Sequence, residues 1–343
     1  MSNVVLGLNI GSREVRMVSL TGKNRHPHLI DSFGLNGTDS IHETVGHALD
    51  MIRKSGIKAG QVFVALDSRK ALIQKLAFPF TDLQKIKGVL PFELENHVPV
   101  NLADYAWDFI RTSRNGVQGC EVVALLYPKQ EVDAWISHLE VGGMTVQGVE
   151  LDLTALDIFA EKLVAHNLDN SLLLDVDWSR TNCVWRRGLE LLALRYIPLG
   201  LRDLFGAILL DQESDDRQEM HKALENLDRN GMKSLVSGEG AQFFKQQIQL
   251  TCMEADRYMS PSGVVLSGKS SALGRLPSFL SEVLGLEVST WKDIEKSELE
   301  QLGGEEAFQL PLSPGLKRGR NKKRFDLLPA IRGNGEGKKI EWK

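Results

Sequence analysis

Gly263-Val-Val-Leu-Ser-Gly-Lys-Ser270 spells the GxxxxGK[ST] pattern, in which backbone amides and a lysine cradle phosphates. A working loop of this kind needs a strand before its first glycine and a flexible turn after it. Here the intervening Val-Val-Leu-Ser reads as the strand itself, and the preceding Met259-Ser-Pro-Ser262 cannot serve as a buried one. A different phosphate chemistry lies in two tight turns. Leu6-Gly-Leu-Asn-Ile-Gly-Ser12 ends one apolar strand and turns into Val15–Leu20. Leu172-Leu-Leu-Asp-Val-Asp-Trp178 does the same and turns into Thr181–Trp185. Backbone amides in such turns hold phosphate oxygens, and an acid at the strand end orders a hydrated magnesium ion. The acid's place is taken by Asn9 in the first turn, beside Gly11 and Ser12. It is kept by Asp175 in the second, but Asp177 and Trp178 stand where a small residue would let the backbone approach phosphate. One lost charge near a metal costs a few kcal/mol, roughly two or three decades of affinity.

No other set of residues promises catalysis. His26-Pro-His28 has no carboxylate or cysteine partners at metal spacing, and Glu93 and Glu95 sit two apart on a helix and do not face one another. Cys120, Cys183 and Cys252 are odd in number and form no CxxC pair, which fits a reducing compartment and gives neither a disulfide framework nor a zinc site. Catalytic and metal-ligating residues are therefore expected to be none.

The elements that must position the turns repeat. A third apolar run follows each strand pair, His28–Phe33 in the first case and Leu189–Ile197 in the second, which predicts a duplicated, two-lobed fold. Ser40-Ile-His-Glu43 has capping-box spacing, and Ile41, Val45, Ala48, Leu49 and Ile52 share one helical face up to a stop at Gly56. Strands are expected at 61–66 and 71–78. Thr81 and Gln84 suggest a second capping box, before a helix carrying Leu83, Ile86, Leu90 and Leu94 and kinked at Pro91. Strands at 107–112 and 121–127 and a helix at 129–141 complete an α/β insert of about 78–147, after which a helix over 153–166 closes the first lobe. The second lobe, 167–312, carries a polar helical insert at 211–258, a buried strand at 264–267, a helix ending at Gly285 and a strand at 286–289.

At 343 residues, 42% hydrophobic and 25% charged, the chain has the composition of a folded protein with two cores. No signal sequence and no apolar run of membrane-spanning length is present. The net charge of −4 hides an asymmetry: from Lys317 onward ten Lys or Arg meet three acids, +7, which leaves −11 on the body. A basic tail of linker composition, 313–343, reads as an attachment segment, to anionic lipid before nucleic acid, because Phe325 and Trp342 are its only aromatics.

Taken in order, Leu8-Asn-Ile-Gly-Ser12, Pro79-Phe-Thr-Asp82, Leu90-Pro-Phe-Glu-Leu-Glu95 with Val98-Pro99, Leu174-Asp-Val176 and Val265-Leu-Ser-Gly268 resemble the PilM and GspL family. These are actin-like cytoplasmic proteins of type IV pilus and type II secretion machines. Over residues 4–310 the resemblance implies an α/β, two-lobed actin-like ATPase (RNase H-like) fold with an α/β insert in the first lobe, 1–166, and a flexible basic tail. Arg324-Phe-Asp-Leu-Leu-Pro329 resembles the segment of PilN that docks into a PilM groove. It implies a partner-peptide segment in which Phe325, Leu327, Leu328 and Pro329 are anchors and Asp326 points outward. The family's nucleotide motifs fall on Asn9, Gly11, Ser12, Asp175 and Gly268, the last followed by Lys269 where a second glycine is usual. Three departures in three motifs fit the GspL branch, in which no cofactor is expected.

The resulting expectation is a non-enzymatic scaffold, located in the cytoplasm at the inner face of the inner membrane. It would link a secretion or pilus ATPase to a PilN- or GspM-like inner-membrane protein, touch anionic lipid through its tail, bind no nucleic acid, and leave a homodimer open. The alternative is a PilM-like switch that binds ATP and magnesium through Asn9, Ser12 and Asp175.

Overall fold

Val5–Ile10 (β1) is an unbroken apolar run save for Asn9, and every residue of it is buried, as a strand at the centre of a covered sheet requires. It pairs antiparallel with β2 (Glu14–Thr21), which pairs antiparallel with β3 (His26–Gly34). On its other side β1 pairs parallel with β4 (Gln61–Leu66), and β4 with β8 (Thr145–Leu151). The order is β3-β2-β1-β4-β8. A second sheet repeats it. β9 (Ser171–Val176) pairs antiparallel with β10 (Thr181–Arg187), β10 with β11 (Glu190–Ile197), and β9 pairs parallel with β12 (Gly263–Ser267), which meets β13 (Val288–Thr290). Order and sense agree at every step, β11-β10-β9-β12-β13, so the duplication expected from the sequence is present in the backbone.

The computed structural model describes residues 5–11, 14–21, 26–34, 40–56, 60–112, 119–164, 170–209, 229–255, 259–290, 293 and 325–332. They divide into two compact units: Met1–Ala155 with Ser313–Lys343, and Leu156–Leu312.

In the first unit, α1 (Ile41–Ser55) starts on the Ser40–Glu43 capping box and ends at Gly56, whose φ of 69° is the left-handed conformation a helix stop calls for. The insert is a separate layer. β5 (Leu72–Phe78), β6 (Tyr105–Thr112) and β7 (Cys120–Pro128) form an antiparallel sheet in the order β5-β7-β6. The helix α2 (Leu83–His97) lays Ile86, Leu90 and Leu94 against Phe78, Phe109, Val122 and Leu126 of that sheet. Its N-cap is Asp82, which accepts from the amides of Gln84 and Lys85; Thr81 does not cap it, because the carboxylate one residue later reaches both amides. The helix runs through Pro91. α3 (Lys129–Val141) follows at the expected bounds, then β8, a strand the periodicity did not reveal.

α4 (Asp152–Val164) leads from one unit into the other. The second unit packs α5 (Leu201–Leu209), α6 (Arg229–Ser237), α7 (Glu239–Ala255) and α8 (Leu276–Leu284) around a core that includes Leu172, Leu174, Trp185, Phe205, Phe244, Ile248, Leu266 and Phe279. Residues 211–228 and 256–258 of the expected helical insert lie outside the described residues, as does nearly all of the expected basic tail.

Candidate functional site

Asn9 is one residue from the end of β1. It is in register with Arg16 on β2 and Ala65 on β4, and residues directly opposite one another share a face of the sheet. Asn9 and Arg16 are both buried, so the place expected for a metal-ordering acid holds a neutral amide across from a cation. Gly11 is half-buried, and Ser12 lies outside the described residues.

The second turn is described completely. Asp175 is buried near the end of β9, in register with Asn182 on β10 and Ser267 on β12. The residue that the sequence reading overlooked is Arg180, 1% exposed in the turn itself. Its Nη1 donates to Asp175 Oδ2 at 3.3 Å, and its Nη2 lies 3.6 Å from Asp177 Oδ2. Asp177 was expected to oppose phosphate, but it faces this guanidinium, because the turn closes on its own hydrogen bonds. The Asp177 amide donates to the Arg180 carbonyl at 2.8 Å, and the Trp178 amide to Asp177 Oδ1 at 2.8 Å.

Neighbouring elements close the turn further. At the start of α5 the amides of Leu201 and Arg202 donate to the carbonyls of Asp177 and Trp178, each at 2.9 Å. Gly200 has no side chain because a Cβ there would strike the backbone of Asp177, Ser179 and Arg180. Gly268, at a φ of 74°, continues β12 directly beneath Asp175, whose Oδ1 a Cβ would overlap. The GxxxxGK[ST] stretch is β12 followed by a 3₁₀ turn, Lys269–Ala272, so the residues of the pattern that would form the loop are strand.

Magnesium and ATP, the ligands that such turns serve, do not fit this arrangement. The carboxylate that would order the ion is buried against a resident cation, and two turn amides and the first amides of α5 are already used. Among the described residues no group of three or more His, Cys, Asp or Glu is placed to share a metal ion. The amide of Asn182, fully buried opposite Asp175, has no hydrogen-bond partner among the described residues; a lone buried amide is ordinarily met by one water molecule.

A second feature is built in the first unit by Phe325–Arg332, whose last turn is α9 (Leu328–Ile331). The segment packs against β6, β8 and α3. Among the described residues β8 and β6 are edge strands of their sheets, so each presents backbone groups with no described strand beyond them. Leu327 N donates to Val149 O at 2.8 Å, and Val149 N donates to Asp326 Oδ1 at 2.9 Å. Asp326 N donates to Asp108 Oδ2 on β6 at 3.1 Å, and Arg332 pairs with Glu140 of α3 at 2.5 Å. Phe325, Leu327 and Leu328 are buried. Two expectations need correction. Asp326 points inward, because its carboxylate is the partner of the open β8 edge and also caps Leu328 N at 3.0 Å. Pro329 is exposed, because it opens a helical turn, where its missing N–H costs nothing.

No protein-family model matches the chain, and no curated protein sequence matches it as a relative. Solved structures do. With two sheets of this order and the turns between their first strands, the fold is the actin-like ATPase fold, α/β with an inserted layer. A chain of a PilM–PilN type IV pilus biogenesis complex matches with a TM-score of 0.71 over 90% of this chain and 97% of that one, at 19% identity. The ethanolamine utilization protein EutJ from Carboxydothermus hydrogenoformans matches with a TM-score of 0.50, over 91% and 87% of the two chains, at 12% identity. The cytoplasmic domain of EpsL, an inner-membrane component of the type II secretion system of Vibrio cholerae, covers 62% of this chain and 79% of its own at 14% identity. Its TM-score is 0.40.

Proposed function

We propose that this chain is a non-enzymatic assembly protein of a pilus or secretion machine, and that its working surface is the peptide groove between β6, β8 and α3. The observation that carries this reading is the seating of Phe325–Arg332, with its three apolar side chains buried, its polar groups matched to the open β8 edge and its Asp326 amide held by the Asp108 carboxylate of β6. This is the β-augmentation logic of peptide capture, abbreviated to a single residue pair and a carboxylate. The fold shared with a PilM–PilN complex, and the order of family-like motifs, support such a setting. On this reading the partners are a cytoplasmic ATPase and a PilN- or GspM-like inner-membrane protein. The excess of basic residues from Lys317 onward suits attraction to an anionic leaflet. The chain does its work by holding these components together.

The test is a Phe325→Ala/Leu327→Ala double variant compared with the full chain in thermal melting. Removing two buried apolar side chains lowers Tm by about 4 °C or more if the groove is occupied in solution. A peptide spanning 323–333, added in trans to a chain truncated before Phe325, restores the loss. Identical melting of all forms would sink the docking reading.

A further inference from the structure

The misfit between the second turn and nucleotide has a positive counterpart. We infer that Arg180 is the resident cation of this hairpin: its guanidinium takes the place that a hydrated divalent ion and phosphate would need, and it holds the turn closed to nucleotide. The inference is independent of the peptide groove, and neither depends on the other.

Asp175 and Asp177, two residues apart on the same strand end, are both buried. Two carboxylates cannot stay ionised in that setting without a partner, since the desolvation of each costs several kcal/mol. In a nucleotide-binding turn the partner arrives from solution. Here it is covalently part of the turn and sits between both acids, 3.3 Å from one and 3.6 Å from the other. Arginine suits the task better than lysine, because its planar fork addresses two carboxylates at once and is more weakly hydrated. The surrounding contacts fix the arrangement. Gly268 seats Asp175, Gly200 admits the turn, and the amides of Leu201 and Arg202 tie it to α5. The same sheet face carries a second buried pairing of the same chemistry, Arg186 with Asp157 and Glu161 of α4. In the first unit the residue opposite Asn9 is Arg16, also buried.

Three variants of the full chain decide the matter, each melted with and without millimolar Mg–ATP. Arg180→Met removes the cation shared by two buried carboxylates and is expected to lose roughly 10 °C in Tm. Asp175→Asn/Asp177→Asn/Arg180→Met removes all three charges and is expected to melt near the wild type, since buried ion groups replaced together are often neutral in effect. Arg180→Lys, a single point charge, falls between. Mg–ATP shifts none of them. If Arg180→Met fails to fold, recovery in the triple variant still supports the resident cation, and equal failure of the triple overturns it. Wild-type melting of Arg180→Met would also overturn it. Protection of the wild type by Mg–ATP that Arg180→Met abolishes would make Arg180 a phosphate ligand and end the inference.

Discussion

Burial pushes one phenol and three thiols in the same direction. Tyr127 on β7 and Cys183 on β10 are held well above their ordinary ranges, chiefly by desolvation; Cys252 is pushed up to about 11 and Cys120 is raised by the same cause. In the unfolded chain these groups ionise near 9.0 for the thiols and 10.0 for the phenol, while in the folded chain they keep their protons. Their contribution is complete below those values and is lost as pH rises past them toward the folded values. The urea midpoint should therefore hold to about pH 9 and fall beyond it. Tyr127→Phe should flatten that alkaline limb, and a thiol reagent at pH 8 should leave Cys183 unreacted until the chain unfolds. Glu43 works in the opposite sense. Its folded value is lowered first by the Ser40 amide and then by the Ser40 hydroxyl, so its support of α1 is present above the unfolded value of 4.5 and fades as pH falls through the folded one. At this scale the sequence named Asn9 and Asp175 but not Arg180. A polar Ser-Arg pair in a turn looks like a solvated loop, and only the close approach of Gly200 and Gly268 turns it into an interior.

Among the elements, those that announce themselves by local rules were legible and those made by pairing were not. The capping box and the left-handed glycine fixed both ends of α1, and α3 has the bounds expected for it. At the start of α2 the same reasoning chose Thr81 over Asp82, since two capping residues in succession offer one signal. β8 escaped because Gly148 interrupts its alternation and the pairing with β4 shifts register between Val62 and Phe63. α5 escaped because its boundary is set by Gly200 and the Asp177 turn, a contact between distant residues. Two substitutions probe this scale. Ser40→Ala should cost about 1 kcal/mol of stability, read from urea midpoints, because the hydroxyl that accepts from the Glu43 amide and donates to the Glu43 carboxylate is lost. Gly268→Ala should cost more than Ser40→Ala in the same assay, since the residue has a φ of 74° and its new Cβ meets the Asp175 carboxylate.

For the whole molecule the duplication was the most readable property, because a central strand buried along all or nearly all of its length leaves the same apolar signature in each copy. The seat of the Phe325 segment was not readable. A short apolar peptide after a long polar stretch states that it will be buried somewhere, but not which edge it will meet, nor that its acid will turn inward to serve that edge. The excess of basic residues around it gives a further expectation: the full chain should sediment with vesicles rich in phosphatidylserine and stay free of neutral ones, and moderate salt should release it. No helix among the described residues is long and apolar enough to cross a membrane. The seated segment also protects the chain from itself. With it removed, β8 would present the bare amide and carbonyl of Val149 at a sheet margin flanked by apolar side chains, a template on which a second copy can add a strand. A truncated chain should thus lose solubility with concentration well before it loses its fold, turning a docking peptide into a guard against aggregation.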